Sequence, residues 1–144
     1  MKLNGTYKFK ANSRQVFNAI LNPGVLQVCI PGCSSVELLD PAHLMANITT
    51  PIPGLKGPFG VVVHMAQRQE PNFLTLEVNH TGMGGSVSAS SQISLTDEAD
   101  GSLLTYDASA KLEGLVAIAN NPLGQGITRN TLKTFFERLE KAIA

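Results

Sequence analysis

Tryptophan is absent, and charge is scarce: 11 Lys and Arg against 11 Asp and Glu, a formal net charge of zero and a pI near 6.8. A balance this even sets up no broad field for phosphate backbones or anionic lipid, which excludes the usual nucleic-acid-binding classes. Long apolar runs are missing too. Val61-Val62-Val63 and Leu115-Val116-Ala117-Ile118-Ala119 fall far short of the roughly 20 residues that a membrane-spanning helix requires. Met1-Lys2-Leu3-Asn4-Gly5 has neither an apolar signal core nor an Arg-rich leader, so the mature chain is expected to begin there. Cysteine is limited to Cys29 and Cys33, separated by Ile-Pro-Gly. That spacing is neither the CxxC of redox motifs nor half of a zinc site, and the pair reads as reduced thiols in a cytoplasmic protein.

What is present fits one domain spanning residues 1–144, a length that can bury roughly 70% of the surface of its unfolded chain. With 43% hydrophobic residues and only 15% charged, some surface, pocket or interface must be more apolar than usual. Leu3 to Lys10 alternates as a half-buried strand. Ser13 is placed to cap a helix carrying Val16, Phe17, Ile20 and Leu21, which Asn22-Pro23-Gly24 ends. Pro23 opens a second short helix through Val25, Leu26 and Val28, broken at Pro31-Gly32.

Six further strands are expected at Ser35–Leu39, His43–Thr49, Lys56–Glu70, Phe73–Thr81, Gly85–Thr96 and Ser102–Glu113. They are separated at Asp40-Pro41, Pro51-Ile52-Pro53-Gly54, Pro71-Asn72, Gly82-Met83-Gly84 and Asp100-Gly101. From Pro122 a long amphipathic helix places Leu123, Ile127, Leu132, Phe135, Phe136, Leu139 and Ile143 on one stripe, with the Glu137/Lys141 pair on its wet face. Strand, two helices, six strands and one long helix is an α+β order, not a doubly wound one. It fits a curved, seven-stranded antiparallel sheet wrapped around the C-terminal helix.

Alternation assigns inward faces. Phe59, Val61, Val63 and Met65 share one, Leu74, Leu76, Val78 and His80 the next. Val87, Ala89, Ser91, Ile93 and Leu95 share a third, and Leu104, Tyr106, Ala108, Ala110 and Leu112 a fourth. The small residues Ala89, Ser91, Ala108 and Ala110 leave either a cavity beneath the stripe Ile127, Leu132, Phe135 and Phe136 or a close helix-sheet contact. His80 and Tyr106 would give such a cavity directional polarity. Each also has a plainer reading, His80 meeting solvent at a strand end and Tyr106 bonding to backbone.

Catalytic signals are sparse. There is no G-x-S-x-G, and Gly82-Met83-Gly84-Gly85 lacks the lysine and helix start of a phosphate loop. His43, His64 and His80 fall in three different strands, which argues against a metal site, and His64 belongs on the polar face opposite Val63. Asp97-Glu98-Ala99-Asp100-Gly101 lacks the alternating ligands of a calcium loop and reads as a solvated turn.

Phe17-Asn18-Ala19-Ile20-Leu21-Asn22-Pro23-Gly24-Val25-Leu26 followed by Cys29-Ile30-Pro31-Gly32-Cys33 resembles the CoxG family of carbon monoxide dehydrogenase proteins. The signature of that family is a helix, x-P-x-x-L, and then an Ile-Pro-Gly-Cys turn. The likeness continues more loosely through Gly57-Pro58-Phe59-Gly60 and Gly82–Gly85 to the last helix. It implies a helix-grip, START-like fold of the SRPBCC superfamily and an accessory role beside molybdenum hydroxylases of the carbon monoxide dehydrogenase type, without implying bound molybdenum. Some members continue into an extension associated with membrane attachment; because this sequence stops on its final helix, peripheral membrane contact is not expected. In the CIPGC turn, Pro31 fixes φ, Gly32 allows the bend, and Cys33 is small enough to let the helices dock.

Three functions follow. The first is a non-enzymatic carrier holding an apolar small molecule, lipid- or quinone-like, with no metal or cofactor. The second is a protein-interaction module for a molybdenum hydroxylase, using Leu115–Ala119 and Pro122-Leu123. The third is a small-molecule enzyme using His80 and Tyr106.

Overall fold

The computed structural model describes residues 1–49, 59–82 and 85–143, apart from the side chains of Leu115 and Ala119. The expected turn at Pro51–Gly54, the start of the strand at Lys56, the Gly57-Pro58 likeness, and Met83-Gly84 lie outside the described residues. The elements run β1 (Lys2–Phe9), α1 (Ser13–Ile20), α2 (Pro23–Cys29), β2 (Cys33–Asp40), β3 (His43–Ile48), β4 (Phe59–Gln69), β5 (Phe73–Gly82), β6 (Gly85–Glu98), β7 (Gly101–Glu113), a 3-10 segment (Gly114–Asn120) and α3 (Pro122–Ile143). All seven strands form one antiparallel sheet in the order β1-β7-β6-β5-β4-β3-β2. The first two strands therefore occupy opposite edges, and the helices between them carry the chain from one edge to the other.

Local chemistry explains the helix starts. Asn12, not Ser13, caps α1: its side chain accepts the Gln15 amide at 2.9 Å while the Gln15 side chain accepts the Asn12 amide at 3.2 Å. This is a reciprocal capping box. Ser13 is already helical and buried, and its amide and hydroxyl both donate to Asp97, at 2.8 and 2.9 Å. The expected solvated turn thus reaches back to pin α1 to the end of β6. Asn22 caps α2 through the Gly24 and Val25 amides, with Pro23 in the first turn.

The CIPGC turn divides its cysteines differently from expectation. Cys29 is fully buried at the end of α2, whereas Cys33 is half-buried and begins β2, its thiol donating to the Ser35 carbonyl at 3.3 Å. Cys29 is thus the cysteine that seats α2 on the core. Gly32 has φ +77°, and a Cβ there would run into the Thr49 carbonyl. Glycine is required on both counts.

Pairing fixes the faces. Phe9, Tyr7, Gly5 and Leu3 of β1 stand opposite Ser102, Leu104, Tyr106 and Ala108 of β7. Those in turn face Asp97, Leu95, Ile93 and Ser91 of β6. On this inner face the side chains are large at one end and small at the other. Phe9, Leu74, Leu95 and Leu104 pack with Phe17 of α1 and with Phe136 and Leu139 of α3 to form the core. Toward the opposite end of the strands the series continues to Ala108 and Ala110 on β7 and to Ser91 and Ala89 on β6. The outer face is polar. Glu137 and Lys141 are both exposed on α3, and among the described residues they form no ion pair.

Candidate functional site

The gradient of side-chain size leaves a cavity of about 250 Å³ at the small-residue end of the inner face. Leu3 (β1), Val63 (β4), Leu76 and Val78 (β5), Ala89 and Ser91 (β6), and Ala108 and Ala110 (β7) line it, with Met1, Ser90 and Ser109 at its margin. Register brings them together: Ala108 pairs with Leu3 and Ser91, Ala89 with Val78 and Ala110, and Val78 with Val63. These are transverse rows of one surface. A leucine in place of any of the three alanines would extend into the space. Its walls are hydrocarbon almost throughout, a composition that holds apolar matter by excluding water and supplies almost no hydrogen bonds.

Seven of the expected site residues, Val63, Leu76, Val78, Ala89, Ser91, Ala108 and Ala110, meet at this cavity. Leu3 and Met1 join them, although their membership depends on β1 pairing with β7 and not on any local signal. Others lie elsewhere. Met65, Ile93 and Phe136 are buried in the core, and Leu132 and Phe135 pack against it. Phe59 and Val61 stand opposite Ile48 and Ala46 on β3, and Val87 stands between His80 and Leu112. The final helix contributes nothing to the cavity wall. Ile127 lines a separate open cleft of about 430 Å³ with Leu123, Gly126, Asn130 and Thr131. The expected closure by the stripe from Ile127 onward gives way to a division: the C-terminal half of α3 fills the core, and its first turns border a different cleft.

His80 and Tyr106 do not converge. His80 pairs with Val87 and Tyr106 with Ile93, six positions further along β6, roughly 20 Å apart on one strand. His80 packs edge-on to Phe59 with ring centroids 6.0 Å apart. Tyr106 lies across Gly5, where a Cβ would sit 2.8 Å from its hydroxyl, and its ring meets Phe136 at 5.5 Å. Glycine here makes room for an aromatic ring from the neighbouring strand. Neither group can act with the other on a small substrate.

The remaining reactive groups are held in their protonated forms. Burial raises the Cys29 and Cys33 thiols above their usual range. Burial, with the Glu140 and Glu137 carboxylates nearby, does the same for the Tyr7 phenol. A protonated thiol is a poor nucleophile and a poor metal ligand. Among the described residues no three His, Cys, Asp or Glu side chains converge as metal ligands, and no helix is long and apolar enough to cross a membrane.

The architecture is shared with proteins of the START superfamily. One such protein from Mycobacterium smegmatis superposes with a TM-score of 0.73 at 12% identity, covering 99% of this chain and 96% of that one. A conserved protein from Geobacillus kaustophilus gives 0.90 at 29% identity, with 99% and 95% covered. Protein CV1439 from Chromobacterium violaceum gives 0.78 at 13%, with 99% and 96% covered. The family profile of CoxG, a carbon monoxide dehydrogenase component, matches residues 5–144. The chain belongs to this family. No curated protein matches it.

Proposed function

We propose that the chain is a non-enzymatic carrier that holds an apolar small molecule, lipid- or quinone-like, against the inner face of its sheet. The observation that carries this reading is the cavity of about 250 Å³ whose walls are Leu3, Val63, Leu76, Val78, Ala89, Ala108 and Ala110. Membership in the CoxG family and the START-like fold support a ligand-binding accessory role. Its association with a molybdenum hydroxylase of the carbon monoxide dehydrogenase type is part of the proposal and rests on the family alone. The cavity volume accommodates roughly ten packed methylene or ring carbons, so a longer ligand would project through the open side.

Native mass spectrometry after gentle purification tests it. The wild type should carry an apolar molecule, and Ala89→Leu with Ala108→Leu should lose that molecule while keeping the fold. Its retention by the doubly filled variant would place the binding site elsewhere and end this reading.

A second role, docking to a partner enzyme, draws on Ile118 and Leu123, which are 40% and 61% exposed beside the start of α3. Co-expression with a neighbouring molybdenum hydroxylase should then yield a complex that Leu123→Ser and Ile118→Ser weaken. A complex indifferent to both substitutions would remove this surface from consideration.

A further inference from the structure

On the outer face of the sheet, His43 of β3 and His64 of β4 are direct cross-strand partners. Their rings stack with centroids 4.5 Å apart and planes 8° from parallel. Each has a carboxylate on its Nδ1 side: Asp40 Oδ1 and Oδ2 at 2.8 and 3.0 Å from His43, and Glu77 Oε2 at 3.9 Å from His64. Glu77 is itself the cross-strand partner of His64 on β5. Both imidazoles are open to solvent, with side-chain exposures of 37% and 41%. Among the described residues neither Nε2 has a hydrogen-bond partner.

A carboxylate that accepts from Nδ1–H fixes the tautomer and leaves Nε2 as a lone-pair donor; metal-ligating histidines characteristically have this arrangement. Here two of them stand side by side on rigid strands. We propose that His43 and His64 form a two-imidazole site for a divalent late first-row transition ion, with water or a small exogenous ligand completing the coordination. Metal-imidazole bonds of about 2.0 Å require the two nitrogens to approach within roughly 3–3.5 Å. Rings stacked at 4.5 Å need to tilt toward each other by only about 1 Å to meet that condition. Imidazole sites favour copper(II) over its neighbours in the series, and the absence of a nearby thiolate among the described residues argues against a soft-ion site.

The site would tie β3 to β4 directly behind the cavity. Leu44 and Val63, the residues following His43 and preceding His64, form the adjacent cross-strand pair on the inner face, and Val63 lines the cavity. The proposal itself does not depend on what the cavity binds.

Copper(II) titrated into the full chain at neutral pH, followed by calorimetry and electron paramagnetic resonance, provides the test. One ion should bind per chain with two imidazole nitrogens in the equatorial set, and protons should compete with it as the pH falls. His43→Gln and His64→Gln should each weaken binding at least tenfold and remove one nitrogen signal, and Asp40→Asn should weaken it by about tenfold through the loss of the orienting carboxylate. His80→Gln should leave binding unchanged. A wild-type spectrum with fewer than two imidazoles, or a folded His43→Gln/His64→Gln variant that binds copper as tightly as the wild type, would overturn the assignment. The spectrum of the wild type alone keeps the test decisive if a variant fails to fold.

Discussion

Single residues carry much of the specificity of this structure, and Asp97 is a clear case. It accepts both the amide and the hydroxyl of Ser13, and these hydrogen bonds hold its carboxyl below the usual carboxylate range. Its folded pKa is depressed, so its contribution to stability is present above the unfolded value, near pH 4, and fades as the pH falls through the folded value. Asp100, held low by Lys8, and Asp40, held low by the His43 ring and the Ala42 amide, add to the same trend. Urea denaturation should show stability falling between about pH 5 and pH 2. Ser13→Ala should cost about 1 kcal/mol at neutral pH and flatten part of that fall. Burial raises both thiols, and Ellman's reagent should react slowly with the native protein and fully in guanidinium. A fast native reaction at either cysteine would contradict that placement. Little of this is legible in the sequence. Serine before an apolar periodic run usually caps the helix, and nothing local signals that Asp97, 84 positions away, takes its donors.

Elements are far more legible, because periodicity is a local property. The strand boundaries and all three α-helices follow from alternation, apolar spacing and Pro or Gly punctuation, and Asn22-Pro23 marks the start of α2. The Leu115–Ala119 run carries no such periodicity, and the chain there winds into a 3-10 segment before α3. The helices yield two substitutions of opposite sign. Removing the Asn12 side chain, as Asn12→Ala, breaks the reciprocal pair with Gln15 and should destabilise the protein by about 1 kcal/mol. Gly126 lies inside α3, and a Cβ there would meet nothing within 4 Å. Gly126→Ala should therefore stabilise by about 0.5–1 kcal/mol. Thermal or chemical denaturation reads both. A destabilised Gly126→Ala would show that this turn of α3 needs freedom its contacts do not reveal.

At the scale of the whole molecule, the inner face is divided between a packed end and an open end, and the cavity exists because side-chain volume falls along four adjacent strands at once. Alternation identifies the inward residues, and the small ones among them mark where space remains. It does not reveal that α3 fills only the packed half. That depends on where a helix lands on a sheet, which no local pattern encodes. The same holds for His43 and His64, whose separation along the chain conceals that antiparallel pairing makes them neighbours. Stability is concentrated at the packed end: Leu104→Ala, at a position with no exposed surface, should cost about 2–5 kcal/mol in chemical denaturation, against little for changes around the open cavity. The strand order has a further consequence, for synthesis. β1 emerges from the ribosome first but pairs only with β7, roughly a hundred residues later, and such distant pairings make folding slow. Throughout that interval its backbone donors and acceptors have no native strand beside them. The nascent chain is then an open edge, and the seam that closes the sheet is also the last place where a neighbouring chain can intrude.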